Sequence, residues 1–288
     1  EAVLDEWIPF HEPMGVVDLA SFVMPFFIFL FLFTYFPMLY NLVQGSSSFW
    51  EVLKEQETWR SFKASLLYVL IVVPGSVGLG LVAALLTQKP NRVSLLVRGI
   101  LFHPVILPMV AFAAIWLYLL NPTSGPLVEL LRSLGVISTS PLSDPRYTVF
   151  VLATVAILKD FGLYMVFFLA GLQNISRELL EAAQIDGANE WQAFAKIIWP
   201  LLGPTTFFVT VYAFISALRN VDHIWVLTPY GGVSGEAELL LYRIYLLGFL
   251  YSDFSRASAL SIVLVGILTF LAVIAIPRIE RGIHYEDR

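Results

Sequence analysis

Apolar residues fall in six long runs, at about 19–43, 64–87, 97–120, 147–172, 201–227 and 257–277, and most charged residues lie between them. The hydrocarbon core of a bilayer is roughly 30 Å thick and takes about 20 apolar residues of helix to cross. The pattern therefore predicts an all-α integral membrane protein of six transmembrane helices. A short segment (1–18) precedes them, the helical domain covers 19–280, and a tail (281–288) follows. Pro25, Pro37, Pro74 and Pro108 sit within the runs, where neighbouring helices can satisfy the carbonyls that proline frees. A seventh run, LLLYRIYLLGFLY (239–251), is too short to span and carries Arg243; it reads as an interfacial or re-entrant segment.

The loop between the fourth and fifth runs breaks the pattern. In ELLEAAQIDGANEWQAFAKIIWPLLGP (178–204) acids and amides alternate with apolar residues at helical spacing. Ser176 is placed to cap a helix that carries Glu178 in its first turn. Gly187 supplies the left-handed position that ends such a helix, and Asn189 with Gln192 forms a near capping box for a second one. Leu179, Leu180 and Ala183 make an apolar patch on the first helix, and Trp191, Phe194 and Ile198 share a face of the second. Periodicity alone leaves two readings open, an amphipathic hairpin lying on the membrane or a docking element.

Composition agrees with a membrane protein: 58% of the 288 residues are hydrophobic, 14% are charged and mean hydropathy is +0.78. The net charge of −5 gives no basic surface for nucleic acid, and the chain has no cysteine for a disulfide or thiolate metal site. No Lys or Arg precedes the first apolar run, so no cleaved signal peptide is expected there. Lys and Arg number eight on the face that carries both termini and seven on the other, which leaves orientation undecided by the positive-inside rule. GSVGLG (75–80) lacks the spacing of a nucleotide loop and reads as small residues for close helix packing. The four histidines, His11, His103, His223 and His284, are too scattered to suggest a metal site.

The spacing inside the polar loop carries a resemblance. Glu181, Ala182, Ala183, Gly187, Ile197 and Pro200, with Asp186 and Ala188, match the EAA loop of binding-protein-dependent ABC importer permeases. Trp199 replaces the usual Leu before the proline. NPTSGPLVELLRSLGV (121–136) and VDHIWVLTPYGGVSG (221–235) resemble segments of the sugar and glycerol-phosphate branch of that family, with Pro229, Tyr230 and Val233 departing from the second pattern. The resemblance implies that residues 176–200 are a cytoplasmic coupling element that docks on a separate ATPase through Glu181, Ala182, Ala183, Asp186, Gly187 and Ala188. It implies both termini on the cytoplasmic side of a prokaryotic inner membrane. It also implies a second homologous permease subunit, two ATPase subunits and an extracytoplasmic solute-binding protein as partners, besides membrane lipid. The chain itself would bind no cofactor, with ATP and Mg on the ATPase subunits, and would not be an enzyme.

Ionisable and polar groups inside spans are costly and mark candidate functional positions. Span four holds Lys159, Asp160 and Tyr164; span five holds Tyr212, Ser216, Arg219, Asn220 and His223, spaced by three and four as a stripe on one helix. These residues are the candidate substrate path, with Ser258 and Ser261 of span six able to join it. The competing reading is architectural: Lys159–Asp160 and Arg219–Asp222 as ion pairs that hold the bundle. Two other function classes compete with the importer reading. An ion-coupled secondary transporter favours internal repeats and broken helices, and an intramembrane enzyme needs a convergent catalytic set; neither accounts for the EAA-like loop.

Overall fold

The computed structural model describes residues 16–232 and 234–283, and everything described is helix, turn or loop. Four helices are long and apolar enough to cross a membrane, and two further bent pairs bring the number to six if each pair is one crossing. The six runs are thus recovered, with different boundaries and shapes.

Helix α1 (16–54) runs well past the expected end at 43, and α2 (Gln56–Thr87) begins eight residues before the expected start at 64. The region 44–63 is helical on both sides of Glu55, whose extended backbone (φ −67°, ψ 131°) makes the break. Charged residues there decorate exposed helix ends, which hydropathy does not distinguish from a loop. The third run is two helices, α3 (Arg92–Ile106) and α4 (Met109–Leu119), bent by 100° at Leu107–Pro108. Pro108 lacks the N–H that would continue the ladder and holds Leu107 in extended backbone. A short α5 (Pro126–Ser133) follows, and α6 (Pro145–Gln173) is the uninterrupted fourth crossing.

The polar loop contributes α7 (Arg177–Ile185) and the start of α8 (Glu190–Leu201), which meets α9 (Gly203–Arg219) at 66°. The fifth run was expected to stay helical to 227. It stops at Arg219, because Asn220 is extended, and a separate short α10 (Asp222–Leu227) follows. Beyond Gly235 lie α11 (Leu240–Leu250), the short seventh run, and α12 (Phe254–Ile283).

Two of the three π-type turns among the described residues have a common cause, the third at Leu246–Leu250 having no proline after it. Residues 31–35 precede Pro37, and residues 194–198 precede Pro200. Each proline removes one N–H from the ladder, and the chain widens by one residue just ahead of it.

α2 and α6 form the centre and run parallel. The glycine run predicted for close packing lies on their seam: a methyl group on Gly75 would meet Ile157, and one on Gly80 would lie 2.7 Å from Tyr164 Cβ. Gly78 faces open space. Val69, Val72, Leu152, Ala153, Met165 and Phe168 complete this core. α1 packs antiparallel to α12, where Gly45 admits the backbone at Ser258–Ala259. The first turns of α2, α6 and α12 therefore lie at one end of the bundle, and the 174–202 loop lies at the other.

Candidate functional site

The coupling-type loop is built almost entirely from local hydrogen bonds. Glu178 N–H donates to Ser176 Oγ at 3.2 Å, capping α7. At its other end Gly187 takes φ +83°. Ala188 N–H donates to the Ala183 carbonyl at 2.9 Å, and Gly187 N–H donates to the Gln184 carbonyl at 3.1 Å. This pair of bonds is the Schellman arrangement, which satisfies carbonyls that a helix end leaves free. Two residues later Gln192 N–H donates to Asn189 Oδ1 at 2.8 Å, and Asn189 N–H donates to Gln192 Oε1 at 3.0 Å. The reciprocal capping box expected from the sequence is thus present.

The two helices expose apolar side chains instead of folding them inward. Ile185 is 87% exposed and Trp191 74%, with Leu179 and Trp199 about half exposed, while Ala183 is buried. Glu181, Ala182, Asp186 and Gly187 lie on the surface and Ala188 is half-buried. A loop whose backbone is this well satisfied, and whose apolar residues face outward, has the physical character of a preformed contact surface.

The candidate path residues divide. Tyr164 on α6 is buried and lies beside the Ser216 hydroxyl of α9. Asn220 Nδ2 donates to the same Ser216 Oγ at 3.0 Å. The Tyr212 ring meets Tyr164 edge-to-face at 6.2 Å. Asp160 lies close enough to interact electrostatically with Tyr164 and with Tyr68 of α2. Asp160, Tyr164, Tyr212, Ser216 and Asn220 therefore converge between α6 and α9, with one carboxylate among hydroxyls and an amide.

Three expected members stand elsewhere. His223 is not on the stripe, because the helix ends before it; it belongs to α10, is fully buried, and shares a 3.0 Å hydrogen bond with Tyr68. Lys159 is one residue from Asp160 and so about 100° around the helix. Its Nζ donates to the Val105 carbonyl at 3.1 Å, where α3 ends above the Pro108 bend. The ammonium there caps a helix C-terminus, a favourable place for a cation. Arg219 is exposed and makes no hydrogen bond or ion pair with any described residue. Neither the Lys159–Asp160 nor the Arg219–Asp222 ion pair forms among the described residues. Ser258 and Ser261 do not join the cluster: Ser258 donates to Asn41 of α1 at 2.6 Å, and Ser261 to its own helix at Ala257.

Sequence reasoning missed Tyr68, whose place at the cluster depends on a partner 155 residues away. His103 is exposed, His11 and His284 lie outside the described residues, and no group of metal-ligating side chains occurs among the described residues.

Residues 76–284 match the family described as binding-protein-dependent transport system inner membrane component. The chain is 31% identical over 245 residues to the sn-glycerol-3-phosphate transport system permease protein UgpA of Agrobacterium fabrum, covering 84% of this chain and 82% of that one. It is 28% identical over 284 residues to a probable ABC transporter permease protein of Pyrococcus horikoshii, covering 93% and 96%. Among solved structures, a chain of a bacterial ABC transporter involved in the import of the acidic polysaccharide alginate aligns with a TM-score of 0.81 at 22% identity, over 91% of this chain and 95% of that one. The bacterial alginate transporter solved in complex with a pentasaccharide-bound periplasmic protein aligns with a TM-score of 0.79. These two likenesses concern the fold.

Proposed function

The chain belongs to the family of binding-protein-dependent transport system inner membrane components and is an ABC importer permease subunit, and from that premise we propose that it forms half of a translocation path for a neutral polyhydroxy solute, a sugar or glycosylated polyol. It pairs in this reading with a second homologous permease subunit. An extracytoplasmic binding protein delivers the solute, and two ATPase subunits hold the ATP and Mg. The observation that carries the coupling half is the α7–α8 loop, rigid in its backbone and apolar on its outer face. Closure of an ATPase seated on α7 pulls on α6 and α9, the helices that flank the loop. Those two helices also hold the polar cluster, so movement at the loop changes the spacing of Tyr164 and Ser216. Both termini and the loop then lie in the cytoplasm, and the first turns of α2, α6 and α12 lie on the extracytoplasmic side.

The solute class follows from which groups converge. Tyr164, Tyr212, Ser216 and Asn220 offer hydroxyl and amide partners to sugar hydroxyls, and the tyrosine rings offer faces for apolar sugar edges. Asp160 is the charged member, whereas Lys159 is turned away and Arg219 is outside. An acid within the cluster, with the neighbouring Lys159 ammonium directed to the Val105 carbonyl, favours a neutral polyol over a phosphate.

The test is purification of the complete transporter through a tag on this chain. Recovery of a second permease and a P-loop ATPase in stoichiometric amounts, with the ATPase lost on combining Glu181→Lys with Gly187→Leu, supports the reading. Solute transport by the chain alone, without ATP, would overturn it in favour of an ion-coupled carrier.

A further inference from the structure

The near-even division of cations between the two faces has a structural counterpart. At the end of the bundle opposite the coupling loop, a groove of about 460 Å³ runs between the first turns of α2 and α6. Its rim carries Arg60, Lys63 and Arg146, and its floor is Ala64, Leu67, Val149 and Phe150. The loop after α10 closes one side with Ser234 and Glu236.

The cations are only partly engaged. Lys63 is exposed and makes no hydrogen bond or ion pair with any described residue. Arg60 reaches the Ser234 carbonyl at 3.4 Å, a marginal contact. Arg146 is held by Asp144 at 2.8 Å but stays 80% exposed. Glu236 is occupied, accepting from Thr148 Oγ1 at 3.1 Å and from Ser234 N–H at 2.7 Å. Of the other four cations on this face, Arg243 and Arg256 are committed to Glu55, Glu57, Glu238 and Asp253, while Lys54 and Arg132 are exposed and do not line the groove. Three of the seven cations on this face therefore converge on one groove.

Depth in the membrane distinguishes the kinds of ligand. Trp50, Trp59, Tyr147 and Tyr251 are all more than half exposed at this end, the arrangement of an aromatic belt at headgroup level. Arg60 and Lys63 follow Trp59 directly, and Arg146 precedes Tyr147. Leading away from the cations, Leu67 and Phe150 stay 41% and 48% exposed, and Leu70 on the next turn is exposed as well. The floor and this track offer hydrocarbon contact and no hydrogen-bonding side chain.

We propose that the groove between the first turns of α2 and α6 binds the phosphate headgroup of an anionic phospholipid, with an acyl chain along Leu67, Phe150 and Leu70. The inference rests on the importer reading only in assigning the lipid to the extracytoplasmic leaflet. A free organic phosphate shares the headgroup chemistry but has no use for the apolar track.

The complete transporter, wild type and carrying Arg60→Gln with Lys63→Glu, is incorporated into nanodiscs of phosphatidylcholine containing a minor fraction of phosphatidylglycerol. It is then re-extracted in mild detergent, and retained lipid is counted by mass spectrometry. Each Lys or Arg near the surface is worth about 1 kcal/mol towards anionic lipid, so the double variant, which loses two, should retain at least roughly thirtyfold less phosphatidylglycerol. Phosphatidylcholine should be unchanged, and Lys63→Arg should behave as wild type. Equal phosphatidylglycerol in wild type and double variant overturns the proposal. So does displacement of the retained lipid by millimolar glycerol phosphate, which would make the groove a solute mouth. If the double variant fails to assemble, Lys63→Gln alone, at an exposed position with no partner to lose, gives the same reading with a smaller change. Co-purification of the ATPase is scored in the same samples, so failure of the importer reading is seen separately from loss of lipid.

Discussion

At the scale of single residues, what the sequence disclosed was local. Gly187 was identifiable because a left-handed position after a helix of this spacing favours glycine, and its φ of +83° follows. A side chain there meets nothing within 4 Å, so the cost of Gly187→Leu is backbone strain alone, about 1–2 kcal/mol. That is too little to unfold the subunit and enough to re-angle α7. The variant is expected to insert and assemble at near-normal levels while ATP hydrolysis loses its dependence on solute-loaded binding protein, measured as ATPase rate with and without it. The polar cluster behaves differently, because Ser216 accepts from Asn220 and contacts Tyr164 across two helices. Ser216→Trp fills the space between α6 and α9. Uptake should fall at least tenfold with ATPase docking intact, and unchanged uptake would make the cluster architectural. The partnership of Tyr68 with His223 was not legible, since no local pattern links residues 155 positions apart.

At the scale of elements, runs of apolar residues located the helices but not their bends. Pro74 leaves α2 a single helix, whereas Pro108 stands at a 100° break. Runs of apolar residues do not distinguish the two prolines; at the Pro108 break the helix end is closed by Leu107 N–H on the Pro104 carbonyl and by Lys159 on the Val105 carbonyl. The stripe on the fifth run is cut short of His223 for a related reason. Spacing by three and four assumes helix throughout, and Asn220 leaves the helix between Ser216 and His223. The glycine run was read correctly as a packing seam, and it gives a controlled comparison. Gly80→Ala drives a methyl to 2.7 Å from Tyr164 Cβ and 3.1 Å from the Phe161 carbonyl, whereas Gly78→Ala meets nothing. Overpacking of this kind costs about 1–3 kcal/mol. Gly80→Ala should lower the thermal midpoint of the purified transporter and impair uptake through displaced Tyr164, with Gly78→Ala unchanged in both. Equal behaviour of the two variants would mean that the seam yields without cost.

At the scale of the whole molecule, the two ends of the bundle are built differently. The coupling loop makes most of its hydrogen bonds within itself. At the opposite end Arg243, 7% exposed, ties four segments together. Its guanidinium donates to Glu57 at 2.6 Å at the start of α2 and to Glu238 at 3.0 Å before α11, and lies 3.5 Å from Glu55 at the break after α1. Glu55 also meets Arg256 of α12 at 3.4 Å. Burial alone would lower the affinity of Arg243 for its proton, but Glu57 and Glu238 outweigh it and hold the group firmly charged. The sequence showed Arg243 only as an anomaly in a short apolar run, because its partners come from 44–63, read there as a loop, and from the turn at 231–238. Arg243→Leu removes the cation and leaves Glu238 and Glu55, each about four-fifths covered, facing one another without it. Removing one partner of such a cluster costs about 3 kcal/mol, so the thermal midpoint should fall by several degrees and the first turns of α2 and α12 should become open to protease. Glu57, 69% exposed, is mostly hydrated, and Glu57→Gln should cost well under 1 kcal/mol. The coupling proposed above, in which one end is anchored and the other is pulled, makes use of this asymmetry. If Arg243→Leu leaves stability intact but alters solute-stimulated ATPase activity, the cluster belongs to the moving part and the anchor lies in the α2–α6 seam.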